Sequence, residues 1–132
     1  METFETTTIT LQQRIGAVLA AIAIGLGAFG AHGLESRLEA ADMMEVWRTA
    51  VFYHLTHAVC IYFLASIAGR RTSRGLIMTV NLWIAGVVLF SGSLYGLALT
   101  SWGLLGPVTP IGGLCLIAGW IVAVGTKLVP AS

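Results

Sequence analysis

Four long apolar runs occupy most of the sequence and constrain what it can fold into. They cover residues 15–31, 50–69, 76–99 and 111–129. A helix needs about 20 apolar residues to cross the hydrocarbon of a bilayer. Lipid offers no water to satisfy backbone N–H and C=O groups, so such segments must be helical. The sequence therefore predicts an all-α membrane protein with four transmembrane helices.

Composition supports a membrane location and argues against several other classes. The chain is 57% hydrophobic and 10% charged, whereas a soluble domain carries about 25% charged residues. The formal net charge of +1 provides no electrostatic footprint for nucleic acid. Cys60 and Cys115 lie far apart inside apolar runs. Their spacing fits neither a CxxC metal pair nor a disulfide framework, so they are interpreted as small apolar packing residues.

The segment from Leu34 to about Thr49 has a different pattern. Its apolar residues recur at spacings of three and four, and its acidic residues lie on another face. This predicts an amphipathic interfacial helix between transmembrane helices 1 and 2, continuing into the second span. The apolar positions are Leu34, Leu38, Ala41, Met44, Trp47 and Val51, and the acidic ones are Glu35, Glu39 and Asp42.

The domain organisation follows from these runs. Residues 1–14 are polar and Thr-rich and are predicted to form an N-terminal tail outside the bilayer. Residues 15–129 form a single four-helix transmembrane domain, and 130–132 a C-terminal tail. Pro107 and Pro110 predict a non-helical loop up to residue 110. Alternatively, the first span is a signal peptide cleaved after Gly33, although acidic rather than basic residues precede it.

Basic residues predict the orientation, because they concentrate on the cytoplasmic side of a membrane protein. Four spans place the N-terminal tail, the turn after residue 69 and the C-terminus on one side, which we expect to be cytoplasmic. The other side is predominantly acidic. The predicted cytoplasmic side carries Arg14, Arg70, Arg71, Arg74 and Lys127, and the other side Arg37 and Arg48 with Glu35, Glu39, Asp42 and Glu45.

Small residues predict close helix packing, which holds helices together where lipid supplies little hydrophobic drive. The third span contains a GxxxG motif, Gly92 to Gly96. Such positions serve either packing within one chain or a seam for a second copy or another subunit. The first span has Gly16, Ala20, Ala23, Gly27 and Ala31 at similar spacings.

Histidines and nearby polar residues form the candidate site. His54 and His57 share a helix face and are the candidate metal ligands. By the parity of the spans, His32 of the first span and Ser91 and Tyr95 of the third are predicted to lie near the same membrane surface as these two histidines. Three interpretations remain open: structural polar contacts, a metal, haem or quinone site, and a proton or solute path. The candidate cofactor-binding residues are His32, Tyr53, His54, His57, Ser91 and Tyr95.

The sequence predicts no catalytic residue and no enzyme. Ser91 and Ser93 lie in an apolar run without a recognisable base. Of the tryptophans, Trp47, Trp83 and Trp102 are interpreted as interface anchors or packing groups, and Trp120 as a packing group.

Several short motifs, in order, resemble a known family. They are GAFGAHGL (27–34), WRTAVFYHLTHA (47–58), FSGSLY (90–95), GPVTPIGG (106–113) and AGW (118–120). The chain is similar, over roughly residues 14–128, to the YgdD-like family of small membrane proteins, domain of unknown function 423, and to related small mitochondrial transmembrane proteins. The resemblance implies a protein of the bacterial plasma membrane or its organellar descendant, but no mechanism.

Three functions compete at this point. The first is an accessory or assembly subunit of a larger membrane complex, in contact with other membrane subunits or with itself through Gly92 and Gly96. The second is a histidine-based metal, haem or quinone-binding protein. The third is a small transporter or channel formed as an oligomer, for which the other half of the spans offers only Ser66, Thr79 and Asn81.

Overall fold

Four long α-helices and one short α-helix form most of the chain that the structure describes. The computed structural model describes residues 2–68 and 73–126, and these contain no strand. Four segments are long and apolar enough to cross a membrane, which confirms the predicted all-α protein with four transmembrane helices. In chain order the helices are α1 (Glu2–Ala31), α2 (Glu35–Ala40), α3 (Met44–Ala68), α4 (Arg74–Thr100) and α5 (Val108–Gly125), with a 3₁₀ turn (Gly103–Leu105) before α5.

Helix α1 starts well before the first apolar run. Residues 2–14 of the predicted N-terminal tail form its first turns, so they continue the first span without a break. Gln12 is buried, and its Nε2 donates to Oδ1 of Asn81 at 2.8 Å and to the carbonyl of Ile77 at 3.3 Å. An amide in lipid gains by such an interhelical hydrogen bond. Part of the predicted tail therefore packs against α4.

The amphipathic segment is two helices rather than one. Helix α2 is only six residues long, and Asp42 adopts a left-handed conformation with φ of 54°. Behind it the Met43 N–H bonds to the Leu38 carbonyl and the Asp42 N–H to the Glu39 carbonyl, a Schellman motif that ends α2. A helix between the first and second spans is therefore present as predicted, but it covers residues 35–40 rather than 34–49, and residues 44–49 belong to α3. Apolar residues of the two helices still pack together, since Leu38 of α2 and Trp47 of α3 lie in one core cluster.

Helix α5 begins at Val108, three residues before the predicted fourth span. Pro107 precedes the helix and Pro110 lies in its first turn, where the backbone nitrogens need no intrahelical partner. The two prolines thus start the helix instead of extending the loop. Arg70, Arg71, Lys127 and the predicted C-terminal tail 130–132 lie outside the described residues.

The long helices pack in the order α1, α3, α4, α5, each mainly against the next. Glycines allow two of these approaches. A Cβ at Gly16 would stand 2.7 Å from the Tyr62 backbone nitrogen, and one at Gly112 would stand 2.7 Å from Cα of Phe90. At one end Nη2 of Arg37 donates to the Leu99 carbonyl at 2.7 Å, which places a cation at the C-terminus of α4. Helix α2 and the end of α4 therefore meet, as the parity of the spans predicts.

Candidate functional site

The histidine–aromatic cluster is formed by side chains of α3, α4 and α5. We define it by His54, His57, Tyr95, Trp83 and Trp120. Both histidines are buried, each about 5% exposed or less. The two histidines are three residues apart on α3, so they share one face of that helix. Helix α3 packs against both α1 and α4. Of the six predicted site residues, the structure places His54, His57 and Tyr95 in this cluster.

His57 has a hydrogen bond at each ring nitrogen. Nε2 lies 3.2 Å from Nε1 of Trp120, and Nδ1 lies 2.9 Å from the backbone carbonyl of Tyr53. An indole N–H only donates and a carbonyl only accepts. The pair of contacts therefore defines a neutral imidazole that carries its proton on Nδ1. A metal ion could bind either nitrogen only by displacing one of these contacts.

His54 has a partner on one side only. Its Nδ1 lies 3.2 Å from the hydroxyl of Tyr95 on α4. Its Nε2 is buried, and no described residue hydrogen-bonds to it. The peptide group of Leu19 on α1 lies near the ring but outside hydrogen-bonding geometry. His54 therefore keeps one buried nitrogen open to a further polar contact.

The other predicted site residues have separate roles. His32 is exposed in the turn after α1, and no contact joins it to the cluster. Ser91 donates its hydroxyl to the Ala50 carbonyl at 2.8 Å and so ties α4 to α3. Tyr53 is partly exposed, and its ring packs against Phe90 with centroids 4.8 Å apart. These contacts stabilise helix packing, and none of them points at a shared ligand position.

Two tryptophans join the site although the sequence indicated only packing or anchoring for them. Trp83 and Trp120 lie with ring centroids 4.6 Å apart, and both rings contact that of His57. Trp120 follows the start of α5 by 12 residues, and His57 follows the start of α3 by 13. At about 1.5 Å per residue both lie roughly 18–20 Å along helices that run in the same direction. The same parity argument, extended to α5, would have paired them.

A second branch of contacts extends to α1. The ring of Trp47 packs against that of Tyr95 with centroids 4.8 Å apart, and its Nε1 donates to the Leu26 carbonyl at 3.0 Å. The indole occupies the space where a Cβ of residue 30 would stand, so Gly30 makes this approach possible. Trp47 is thus a buried connector, whereas Trp102 is exposed.

Metal-binding capacity is limited within the described residues. No group of three or more His, Cys, Asp or Glu side chains there is arranged to hold a metal ion. Both cysteines are unpaired and half-buried, and Cys60 packs against the core around Ile61. What the geometry provides is a hydrogen-bonded aromatic network with one open imidazole nitrogen.

Comparison with known proteins identifies the family. A family model described as "Protein of unknown function (DUF423)" matches residues 26–113, which include both histidines and Tyr95. The chain belongs to this family. The prediction of a resemblance to domain of unknown function 423 is confirmed.

Relatives in the family are membrane proteins. The chain is 45% identical to UPF0382 membrane protein YwdK of Bacillus subtilis, over 83% of this chain and 89% of that protein. It is 46% identical to a UPF0382 membrane protein of Staphylococcus haemolyticus, over 83% and 88%. A UPF0382 membrane protein of Schizosaccharomyces pombe is 37% identical over 80% and 92%. No solved structure matches the chain. With the four apolar helices, these relatives make this family member a multi-pass membrane protein.

Proposed function

We propose that this protein is an accessory or assembly subunit of a larger membrane complex, in which a transmembrane helix of another subunit packs against α1. The observation that carries the proposal is a second face of small residues on α1, turned away from α3. The proposal includes a location in the bacterial plasma membrane with both termini cytoplasmic, for which the distribution of basic residues is the support.

The surface of α1 divides into three stripes. The inner stripe packs on α3 and is small, with Gly16, Ala23 and Gly30 all buried. An outer stripe is bulky, as expected of a helix face in contact with lipid chains. Beside it runs a second outer stripe in which every side chain is small and exposed. The bulky stripe comprises Leu11, Val18, Ile22 and Phe29, and the small outer stripe Ala17, Ala21, Gly25 and Ala28.

The small outer stripe has the chemistry of a helix contact. Transmembrane helices associate through small residues, because these let two backbones approach closely. The same chain uses that device between α1 and α3, where Gly16 meets the backbone of Tyr62. A Cβ at Gly25 would have no neighbour within 4 Å. The stripe therefore offers space for another helix, whereas lipid contact alone requires no small residues.

The GxxxG motif provides a weaker surface than its sequence suggests. A Cβ at Gly96 would stand 2.7 Å from Cδ1 of Leu105, so this glycine packs inside the chain. Gly92 is exposed with open space around it. Self-association through Gly92 and Gly96 stays a prediction.

Two matched glycine substitutions test the proposal. Both Gly25→Leu and Gly92→Leu add the same side chain in open space, so both variants should fold. Native mass spectrometry after gentle release from native membranes would report the assembly. We expect the wild-type protein and Gly92→Leu to carry additional subunits, and Gly25→Leu to lose them. A wild-type protein released as a single empty chain would contradict the proposal.

A histidine-based metal, haem or quinone site is the second candidate, and the open Nε2 of His54 favours it. Protein purified from its native membranes would then contain a metal or chromophore. Substitution of both His54 and His57 by Ala should remove it, whereas His32→Ala, outside the cluster, should leave it in place. Absorbance and elemental analysis measure the content. Wild-type protein that is empty after gentle release would exclude this function.

A further inference from the structure

An open groove separates α1 from α3 at the end of the molecule where α2 lies. Its volume is about 510 Å³, within the range of roughly 300–1,000 Å³ found for ligand pockets. On α1 the groove is lined by Gly27, Gly30 and Ala31, so no large side chain of α1 projects into it. None of the five residues that define the histidine–aromatic cluster lines the groove.

The groove is apolar along most of its length and charged at one end, which we call its mouth. Its charged lining residues are Glu35, the first residue of α2, and Arg48, in the second turn of α3. From Arg48 the groove follows α3 down to Thr56, about 12 Å along the helix at roughly 1.5 Å per residue. Charges at one end and apolar walls along the rest match an amphiphile with a hydrocarbon chain and a polar head.

The charges at the mouth discriminate between headgroups. Nη1 of Arg48 donates to Oε1 of Glu45 at 2.8 Å, yet a guanidinium has five N–H donors and can also bind a phosphate. Glu35 is exposed at the same mouth and can bind an ammonium group. The segment from α2 to the second turn of α3 is net acidic, because Glu35, Glu39, Asp42 and Glu45 outnumber Arg37 and Arg48. An anionic head without an amine would be repelled.

We propose that this groove binds one acyl chain of a phosphatidylethanolamine, with the phosphate at Arg48 and the ammonium at Glu35. The inference goes beyond the proposed accessory function and does not depend on it. A specifically held lipid would extend the packing surface of α1 and α3 at this membrane face.

Native mass spectrometry of the delipidated full-length protein tests the proposal. The probes are palmitoyl-oleoyl phosphatidylethanolamine and the phosphatidylglycerol with the same acyl chains, titrated separately. We expect one phosphatidylethanolamine to bind up to about fivefold more tightly than phosphatidylglycerol, the upper limit set by one exposed ion pair. Equal binding of the two lipids, or a preference for phosphatidylglycerol, would overturn the proposal.

Variants separate the groove from the rest of the lipid-facing surface. Ala31→Phe fills the groove and should abolish the single tight adduct, whereas Ile24→Phe, at an exposed position of α1 outside both the groove and the small outer stripe, should not. Thr56→Phe, at the deep end, repeats the test if Ala31→Phe does not elute as folded protein. Glu35→Gln should remove the preference for phosphatidylethanolamine while phosphatidylglycerol binds more tightly. Unchanged binding in both groove-filling variants, or a groove closed by a second copy of the chain, would refute the proposal.

Discussion

Nε1 of Trp120 and Nε2 of His57 lie 3.2 Å apart and join the last transmembrane helix to the second. Since the indole can only donate, the direction of this hydrogen bond determines the proton position on the imidazole. His57 is therefore held as the Nδ1–H tautomer by two contacts from different parts of the chain. A residue that the sequence offers as a candidate ligand is, in the fold, already fully hydrogen-bonded.

The tautomer of His57 is directly measurable. In a sample with ¹⁵N-labelled histidine, solid-state NMR of the protein in bilayers should show a protonated Nδ1 and an unprotonated Nε2 for His57. Trp120→Phe removes the donor to Nε2 and should shift that nitrogen resonance without affecting His32. A protonated Nε2 in the wild-type protein would contradict the geometry described here.

Trp120→Phe should also reduce stability. The change leaves Nε2 of His57 buried without its partner, and we expect a loss of about 1 kcal/mol in the free energy of unfolding. Unfolding in mixed detergent micelles measures the effect. Trp102→Phe is the matched control, since Trp102 is exposed and should change stability little. Equal losses in the two variants would show that the hydrogen bond contributes nothing.

Substitution of two adjacent glycines in α5 by alanine should change the stability of the protein differently. A Cβ at Gly112 would stand 2.7 Å from Cα of Phe90, so Gly112→Ala forces α4 and α5 apart. We expect a destabilisation of about 1–3 kcal/mol from this overpacking. At Gly113 the nearest atom, Cδ2 of Phe90, would be 3.6 Å away, and the helix preference of alanine should give no loss. Thermal unfolding of both variants in the same detergent compares them, and similar melting temperatures would contradict the close packing.

Gln12 should stabilise the protein although it lies in the segment that the sequence assigns to a tail. Gln12→Leu removes its hydrogen bonds to Asn81 and Ile77, and we expect a loss of about 1 kcal/mol. Hydrogen exchange of the α1 backbone should rise in this variant. Gln13→Leu, at the next and less buried position, is the control. Unchanged exchange in Gln12→Leu would contradict this packing and would favour the predicted N-terminal tail of residues 1–14.

Orientation is open to a separate test. Single cysteines introduced at Ser36 and at Ser73 in a background without Cys60 and Cys115 report opposite ends of the molecule. In intact cells we expect a membrane-impermeant thiol reagent to label position 36 and not position 73. The opposite labelling pattern would reverse the proposed orientation, with the helix packing left unchanged.

The parts of the site that the sequence predicted share one property, which is that they depend on spacing within a helix. Three residues separate His54 from His57, so their common face follows from helix geometry. The contact of His54 with Tyr95 is consistent with span parity, which set both near the same membrane surface. The hydrogen bond between His57 and Trp120 was not predicted, because the apolar surroundings of Trp120 in the sequence indicated only packing. His32 follows the last residue of the first span as predicted, yet it is exposed and no contact joins it to the cluster.

Sequence by itself determined the membrane location, the number of spans and the relation of their ends, because these follow from apolar length and the demands of backbone hydrogen bonding in lipid. Only the tertiary structure decided which neighbours each helix has and which imidazole nitrogen stays open. It also decided that Asp42 breaks the amphipathic segment and that Gly96 is filled by Leu105 while Gly25 is not. Such features depend on the rotation of each helix about its axis, and the opposing side chains that set this rotation lie far apart in the sequence.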